Sequence, residues 1–200
     1  REGKITTLEQ RLQEAREAKR MADANLQMSQ AAVDQFLTQL LQLPTGLGLQ
    51  AEISQKQISE ALTFYENERA SLKENDELLP ERSRNYFNTA QLLLRKGQRA
   101  EAHDWLEKAR AALTLLLQKQ PGHANTPRRE ALLGRTCRWL GTLQAESGHR
   151  VEALEFYKQA VASLEPAVKA DPKDRNSRYE CASAFYELGR RARRDGKAGL

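Results

Sequence analysis

The stretch that decides the fold is EALEFYKQAVASL, residues Glu152–Leu164, because a near copy, EALTFYENERASL, occurs at residues Glu60–Leu72. Eight of the thirteen aligned positions are identical, and the copies start at positions 152 and 60, which are 92 residues apart. Both copies place alanines and large apolar residues three and four positions apart, the spacing of one face of an α-helix. The chain therefore repeats a helix that packs through one face.

A second repetition, with a spacing of 51 residues, extends over the neighbouring segments. Gly97 and Gly148 are 51 residues apart. The same spacing separates Ala102 from Ala153, Ala109 from Ala160, and Pro121 from Pro172. Four landmarks at one spacing indicate an internal duplication. Each unit is predicted to consist of a first helix, a tight glycine turn and a second helix.

The composition is typical of an all-α protein. Apolar residues make up 40% of the chain and charged residues 30%, and the commonest residue types are good helix formers. No alternating β-branched run predicts a strand, and no apolar run approaches the ~20 residues that span a bilayer. We expect helices at about 50–73, 80–96, 99–120, 126–147, 150–170 and 174–195.

The duplicated unit resembles the tetratricopeptide repeat. The sequence pattern of that family is a large residue, then Leu-Gly, then an alanine, an aromatic residue and a proline. The matching residues are Cys137, Leu140, Gly141, Ala153, Tyr157, Ala160 and Pro172, with Phe185, Leu188 and Gly189 in the third copy and Tyr86, Ala90, Ala102, Leu106 and Ala109 in the first. The resemblance implies antiparallel helical hairpins stacked as an elongated tetratricopeptide-like solenoid. The spacing here is 51 residues against about 34 in the family, so its curvature does not carry over.

The first 43 residues differ from the repeats. They contain no glycine or proline after Gly3, and apolar residues recur at spacings of three and four, which predicts a long connecting, coiled-coil-like helix. We expect this helix over residues 1–43, a degenerate capping hairpin partner over 44–80, and tetratricopeptide-like repeats over 81–200. Whether residues 1–43 pair with a second copy to form a homodimer is left open by the sequence.

Residues 15–68 resemble the region that follows the kinase domain in membrane-anchored bacterial (planctomycete-type) serine/threonine protein kinases. AREAKRMADANLQMSQAAVDQFLTQL and GLQAEISQKQISEALTFYENE carry the match. The chain has no Gly-rich loop, HRD or DFG motif, so the resemblance implies the accessory region of such a kinase. It also implies a bacterial protein tethered to the membrane by a segment upstream of Arg1, with the extracytoplasmic side as one alternative.

No set of residues in the sequence predicts catalysis. The histidines, His103, His123 and His149, lack metal-ligand spacing with each other and with the two cysteines. Acidic residues alternate with lysines and arginines at helical spacing, which is typical of a solvated helix surface. We therefore predict a chain that is not an enzyme and that uses no metal and no cofactor.

Basic charge gathers on the first helix of each pair. Segments 81–96, 127–146 and 173–197 carry net charges of +3, +2 and +4, whereas the second helices, 98–120 and 150–171, carry +1 and −1. By the tetratricopeptide resemblance the first helices line a groove, and arginine with asparagine or glutamine suits the carboxylates and backbone of a peptide. The candidate peptide-binding residues are Arg84, Phe87, Asn88, Gln91, Arg95, Arg135, Arg138, Thr142, Tyr186, Arg190, Arg193 and Arg194.

Three functions are consistent with these observations. The first is a non-catalytic module of a bacterial signalling protein that binds a protein or peptide, with an acidic ligand suited to the arginines. This function requires Arg84, Arg138 and Arg190 to converge on an open groove. The second is a structural spacer or dimerisation region without a groove ligand. The third is nucleic-acid or anionic-surface binding, which the sparse aromatic residues of the first helices disfavour.

Overall fold

The computed structural model describes residues 13, 49–71 and 78–197, with side chains described at residues 13, 55–70 and 78–191. Every element in these ranges is a helix, which confirms the all-α prediction, and the bounds agree with the expected ones within two residues. Apart from residue 13, the predicted helix over residues 1–43 lies outside the described residues. The helices are α1 (Leu49–Ser71), α2 (Leu79–Arg95), α3 (Arg99–Lys119), α4 (Thr126–Glu146), α5 (Arg150–Ala170) and α6 (Arg175–Lys197).

The packing follows chain order. The chain divides into two compact units, Arg1–Gln57 and Ile58–Leu200, and the contacts described below lie within the second. From α2 to α6 each helix packs on the next one, and α4 also contacts α6. In this arrangement a first helix contacts both its own partner and the following first helix.

The turns that end α2 and α4 use glycine in the left-handed conformation. Gly97 has φ 79° and Gly148 has φ 86°. The Gly97 N–H donates to the Leu94 carbonyl at 3.1 Å, and the N–H of the next residue donates to the Leu93 carbonyl at 2.9 Å. The same two bonds recur around Gly148. This pattern closes the carbonyl end of a helix and favours glycine because the left-handed region penalises a Cβ. The predicted role of the two glycines is confirmed.

The two copies of the repeated phrase bury the same positions. Ala153 and Tyr157 on α5 are buried, and so are Ala61 and Tyr65 on α1. Besides a small cluster of Leu79, Ala112 and Leu116, the core around α2–α6 contains two larger clusters. One contains Phe87, Ala90, Leu106, Ala109, Leu140 and Leu143, and the other contains Cys137, Ala160, Leu164, Cys181 and Ala184.

Helices α4 and α5 approach each other closely at two glycines. A Cβ placed on Gly141 would lie 3.0 Å from the Tyr157 ring and 3.2 Å from the carbonyl oxygen of Ala153. A Cβ on Gly134 would lie near Leu164 and the carbonyl oxygen of Ala160. Because the later glycine meets the earlier part of α5, the two helices run antiparallel. The sequence predicted the close approach at Gly141 but not at Gly134.

The N-terminus of α6 is capped by Asp174. Its Oδ1 accepts the backbone N–H of Asn176 at 3.0 Å, and its Oδ2 accepts the Ser177 hydroxyl at 2.5 Å. Both bonds favour the charged carboxylate, and the Ser177 hydroxyl contributes most to lowering the pKa of Asp174. The cap sets where α6 begins after the turn that follows α5.

We expect Gly134→Ala to lower the free energy of unfolding relative to Gly189→Ala. An added methyl at 134 would clash with Leu164 Cγ and lie 2.9 Å from the Ala160 carbonyl oxygen, whereas at 189 it would meet no described atom within 4 Å. Both changes gain about 1 kcal/mol of helix propensity, so their difference reports overpacking, about 1–3 kcal/mol. Urea unfolding followed by circular dichroism measures this difference. Equal free energies of unfolding for the two variants would show that the α4–α5 contact accommodates the added methyl group without loss of stability.

Asp174→Ala is expected to destabilise the protein by about 1 kcal/mol at neutral pH. Because folding lowers the pKa of this carboxyl from its ordinary 3.8, the stabilisation is fully present above 3.8. It is lost as the pH falls through the lower folded-state pKa. Wild type and variant should therefore converge below pH 3.8, as measured by thermal unfolding across pH. A difference that persists unchanged in acid would contradict a role for the charged cap.

Candidate functional site

Glu180 on α6 brings together two of the predicted arginines. Its carboxylate accepts a hydrogen bond from Arg138 Nε and lies 3.8 Å from Arg135 Nε. Glu180 is 8% exposed, and the Arg138 side chain is 13% exposed. Arg135 and Arg138 lie one turn apart on α4, so a single carboxylate of the following first helix can hold both. These arginines join α4 to α6.

Phe87, predicted to line the groove, lies in the core instead. Its side chain is 2% exposed and packs with Leu106 and Leu140. The Arg135 guanidinium lies 4.9 Å from the centre of the Phe87 ring, within the range of a cation–π contact. The next first helix thus covers this position of α2, and the ring is not available to a ligand.

Two further candidates on the first helices bind the tyrosines of the repeated phrase. Asn88 Nδ2 donates to the Tyr65 hydroxyl at 2.9 Å. Thr142 Oγ1 lies 3.3 Å from the Tyr157 hydroxyl and donates to the Arg138 carbonyl at 3.1 Å. Because both tyrosines are buried, these contacts satisfy phenol groups that burial would otherwise leave without partners. Asn88 and Thr142 therefore have structural contacts of their own.

The remaining candidates differ in their surroundings. Gln91 is buried, and no described residue accepts a hydrogen bond from its Nε2. Arg84 and Arg95 on α2 are half-buried. The side chains of Arg193 and Arg194 lie outside the described part of the chain.

Arg190 on α6 is held by its own helix. Its Nη2 donates to Glu187 at 2.7 Å, and this hydrogen bond raises the pKa of Arg190. Arg191 lies 3.3 Å from the same carboxylate and 5.4 Å from the centre of the Tyr157 ring. Of the three arginines whose convergence a peptide groove requires, Arg138 and Arg190 are each engaged by a carboxylate of α6.

The aromatic residues that the structure leaves exposed are concentrated on α6. Tyr179, Phe185 and Tyr186 are 69%, 48% and 63% exposed, and Ala182 between them is also exposed. We call these four residues the α6 aromatic surface. Of these four residues, only Tyr186 is among the candidate peptide-binding residues predicted from the sequence. The three-four spacing of the four positions is the signal that could have identified the set.

The cysteines and histidines of the described residues form neither activated thiols nor a metal cluster. Burial raises the pKa of the Cys137 thiol to about 12, and burial also raises that of Cys181, which keeps both thiols protonated and unreactive. His103 Nε2 lies 3.0 Å from Gln144 Nε2, and His149 Nδ1 lies 2.9 Å from Gln144 Oε1, so both histidines are within hydrogen-bond distance of this glutamine. Within the described ranges no group of three metal-ligating side chains is placed to hold an ion, and no helix has the length and apolar character to cross a bilayer.

Comparisons with known proteins add no functional assignment. No protein-family model matches the chain, and no curated protein matches it. The function must therefore be inferred from the packing, burial and charges of the described residues.

Glu180→Gln is expected to lower the free energy of unfolding by about 2 kcal/mol, because Arg135 and Arg138 lose a largely buried carboxylate. The matched control is Glu155→Gln. Glu155 pairs with Lys158 on the surface, where the two side chains are 57% and 61% exposed. We expect the control to change stability by about 0.5 kcal/mol or less. Urea unfolding compares the two, and equal effects would show that the α4–α6 ion pair adds no stability.

Proposed function

We propose that the chain is a non-catalytic helical-repeat module that binds a protein partner through its first helices. The α6 aromatic surface is the observation that carries this proposal. Three large aromatic side chains on one helix expose apolar area that would be stabilised by burial against another molecule. Tyrosine and phenylalanine are also enriched at the centres of protein interfaces.

The scaffold we propose for this module is a tetratricopeptide-like stack of antiparallel hairpins. Three observations support it: the contacts between successive helices, the left-handed glycine turns 51 residues apart, and the close approach at Gly141. In such a stack each helix contacts only near neighbours, and a first helix can present one side to a ligand.

The internal ion pairs shift the proposed binding surface from α4 towards α6. Arg135 and Arg138 carry part of the basic charge predicted to face a ligand, and the single carboxylate of Glu180 offsets one of these two positive charges within the fold. By contrast, Arg175 and Arg178 on α6 are exposed near the aromatic surface. A partner with acidic residues around an apolar centre therefore fits this surface best.

The biological setting we propose is the accessory region of a bacterial signalling kinase. The resemblance of residues 15–68 to the segment after the kinase domain supports this setting. Sequencing the gene upstream of the codon for Arg1 tests it directly. A kinase domain followed by a membrane-spanning segment is expected there, and an unrelated upstream sequence would contradict the proposal.

A second candidate function is a structural spacer or dimerisation region without a groove ligand. The specific observation that favours it is the engagement of Arg138, Arg190 and Arg191 by carboxylates of α6. Charges paired in this way stabilise and orient helices without any ligand. The two functions differ in the role of the exposed tyrosines. A binding module uses them to contact its partner, whereas a spacer does not use them.

Selection of a displayed random-peptide library on the purified chain is expected to enrich peptides that depend on α6. Their binding should weaken about tenfold or more in the Tyr179→Ser, Tyr186→Ser double variant, because the apolar contact area is lost. Val151→Ser is the matched control, since Val151 on α5 is 72% exposed and lies outside the proposed surface. Fluorescence anisotropy measures the affinities. Peptides that bind all three proteins equally, or no enrichment at all, would favour the spacer.

A further inference from the structure

Helices α4 and α6 share a sequence pattern but differ in what covers them. The Leu-Gly pairs at 140–141 and 188–189 align at an offset of 48 residues, which matches Gly134 with Ala182 and Cys137 with Phe185. In α4 both positions are buried, and Cys137 is 1% exposed. In α6 Ala182 is exposed and Phe185 is 48% exposed. We call Ala182 and Phe185 the open side of α6.

The helix that covers the corresponding side of α4 is α5. At Gly134 it contributes Leu164 and the carbonyl oxygen of Ala160, and small residues on both helices allow this close approach. Ala182, like Gly134, is small enough to admit a helix backbone, although its methyl group requires a slightly longer separation. The apolar ring of Phe185 offers more contact area than the Cys137 side chain that it replaces.

The same arrangement occurs once more in the chain. Ser83 and Ala90 on α2, which correspond to Gly134 and Gly141 at the 51-residue spacing, are both buried. The helix packed on α2 is α3, whose Ala102 and Ala109 are fully buried. These alanines are the counterparts of Ala153 and Ala160 on α5. The structure therefore shows twice that a first helix of this pattern is covered by a helix with alanines seven residues apart.

The open side of α6 is continuous with an interface that already exists. On the same helix, Cys181 and Ala184 belong to the core cluster that includes Ala160 and Leu164 of α5. Phe185 follows Ala184 directly, so a helix placed on the open side would extend the packed core. This continuity distinguishes Phe185 from Val151, which is exposed in the first turn of α5.

The charges near the open side favour the binding of an acidic helix. The α6 carboxylates Glu180 and Glu187 are engaged by arginines. Arg175 and Arg178 are exposed in the first turn of the helix. A helix that carries glutamates or aspartates along its edges would complement this surface at low salt.

We propose that the open side of α6 docks an acidic amphipathic α-helix of a partner protein, packed as α5 packs on α4. The inference rests on the proposed function and specifies the kind of partner. The docked helix has two alanines seven residues apart facing α6, with a large apolar residue between them, as Tyr157 lies between Ala153 and Ala160.

The test uses three synthetic peptides as probes of the full chain. The first has the sequence of α5, Arg150–Ala170. The second is the same peptide with its three exposed basic residues changed to glutamate: Arg150→Glu, Lys158→Glu and Lys169→Glu. The third is a scrambled form of the second. Binding is measured by anisotropy of a fluorescent label at about 0.05 M and about 0.5 M salt, which changes the range of electrostatic attraction.

We expect the acidic peptide to bind more tightly than the α5 peptide at low salt and to lose more affinity at high salt. Phe185→Ser and Ala182→Gln should each weaken binding about tenfold or more, because one removes the apolar ring and the other blocks close approach. Val151→Ser should bind as wild type does. Ala182 is exposed, so Ala182→Gln is expected to leave the fold intact and to test docking directly. This test remains valid if Phe185→Ser reduces the folded population measured by circular dichroism.

Several results would overturn the inference. The inference is wrong if the scrambled peptide binds as well as the acidic one. It is also wrong if both α6 variants retain wild-type affinity. Self-association in light scattering that Phe185→Ser abolishes would identify a second copy as the occupant. If library peptides dependent on Tyr179 and Tyr186 bind while the helical probes do not, the docking inference fails and the proposed function stands. If neither kind of peptide binds, both fail.

Discussion

The close approach of α4 and α5 at Gly134 and Gly141 is the constraint on which the rest of the structure depends. The absence of a Cβ at these positions lets the backbone of one helix reach the carbonyl oxygens of the other. Tyr157 and Leu164 then fill the remaining space, so that a pair of amphipathic helices becomes a tightly packed unit. The contacts of α4 with α3 and of α5 with α6 extend this unit in both directions.

The arginines of α4 show why the sum of charges on a helix is a weak guide to function. The first helices are basic in sequence, but Glu180 lies within reach of Arg135 and Arg138. Leaving a largely buried guanidinium unpaired costs several kcal/mol, so a carboxylate on the neighbouring helix is a physical requirement of the packing. Charge that is paired in this way is less available to a ligand, whereas Arg175 and Arg178 on α6 are exposed beside its aromatic residues.

The α6 helix connects the architecture to the proposed function. It has the sequence pattern of a first helix, and its inner side packs as expected, with Cys181 and Ala184 in the core. Its other side carries exposed tyrosines and a half-exposed phenylalanine, whereas Cys137, the residue of α4 that corresponds to this phenylalanine, is buried. In the proposed stack, a surface of this kind would arise from the repeat itself, because every unit that can pack on a neighbour also presents a face suited to receive one.

The sequence by itself determined the helices, their bounds within two residues, the glycine turns and the buried alanines and tyrosines of the repeated phrase. These features follow from local rules: helical periodicity along one segment, and the tolerance of glycine for a positive φ. Only the tertiary structure decided that Phe87 is buried beneath Arg135, that Glu180 joins two arginines, that Gly134 meets Ala160, and that Phe185 lies exposed. Each of these facts depends on which residue of a neighbouring helix faces the position, and the pattern of a single helix carries no information about its neighbour.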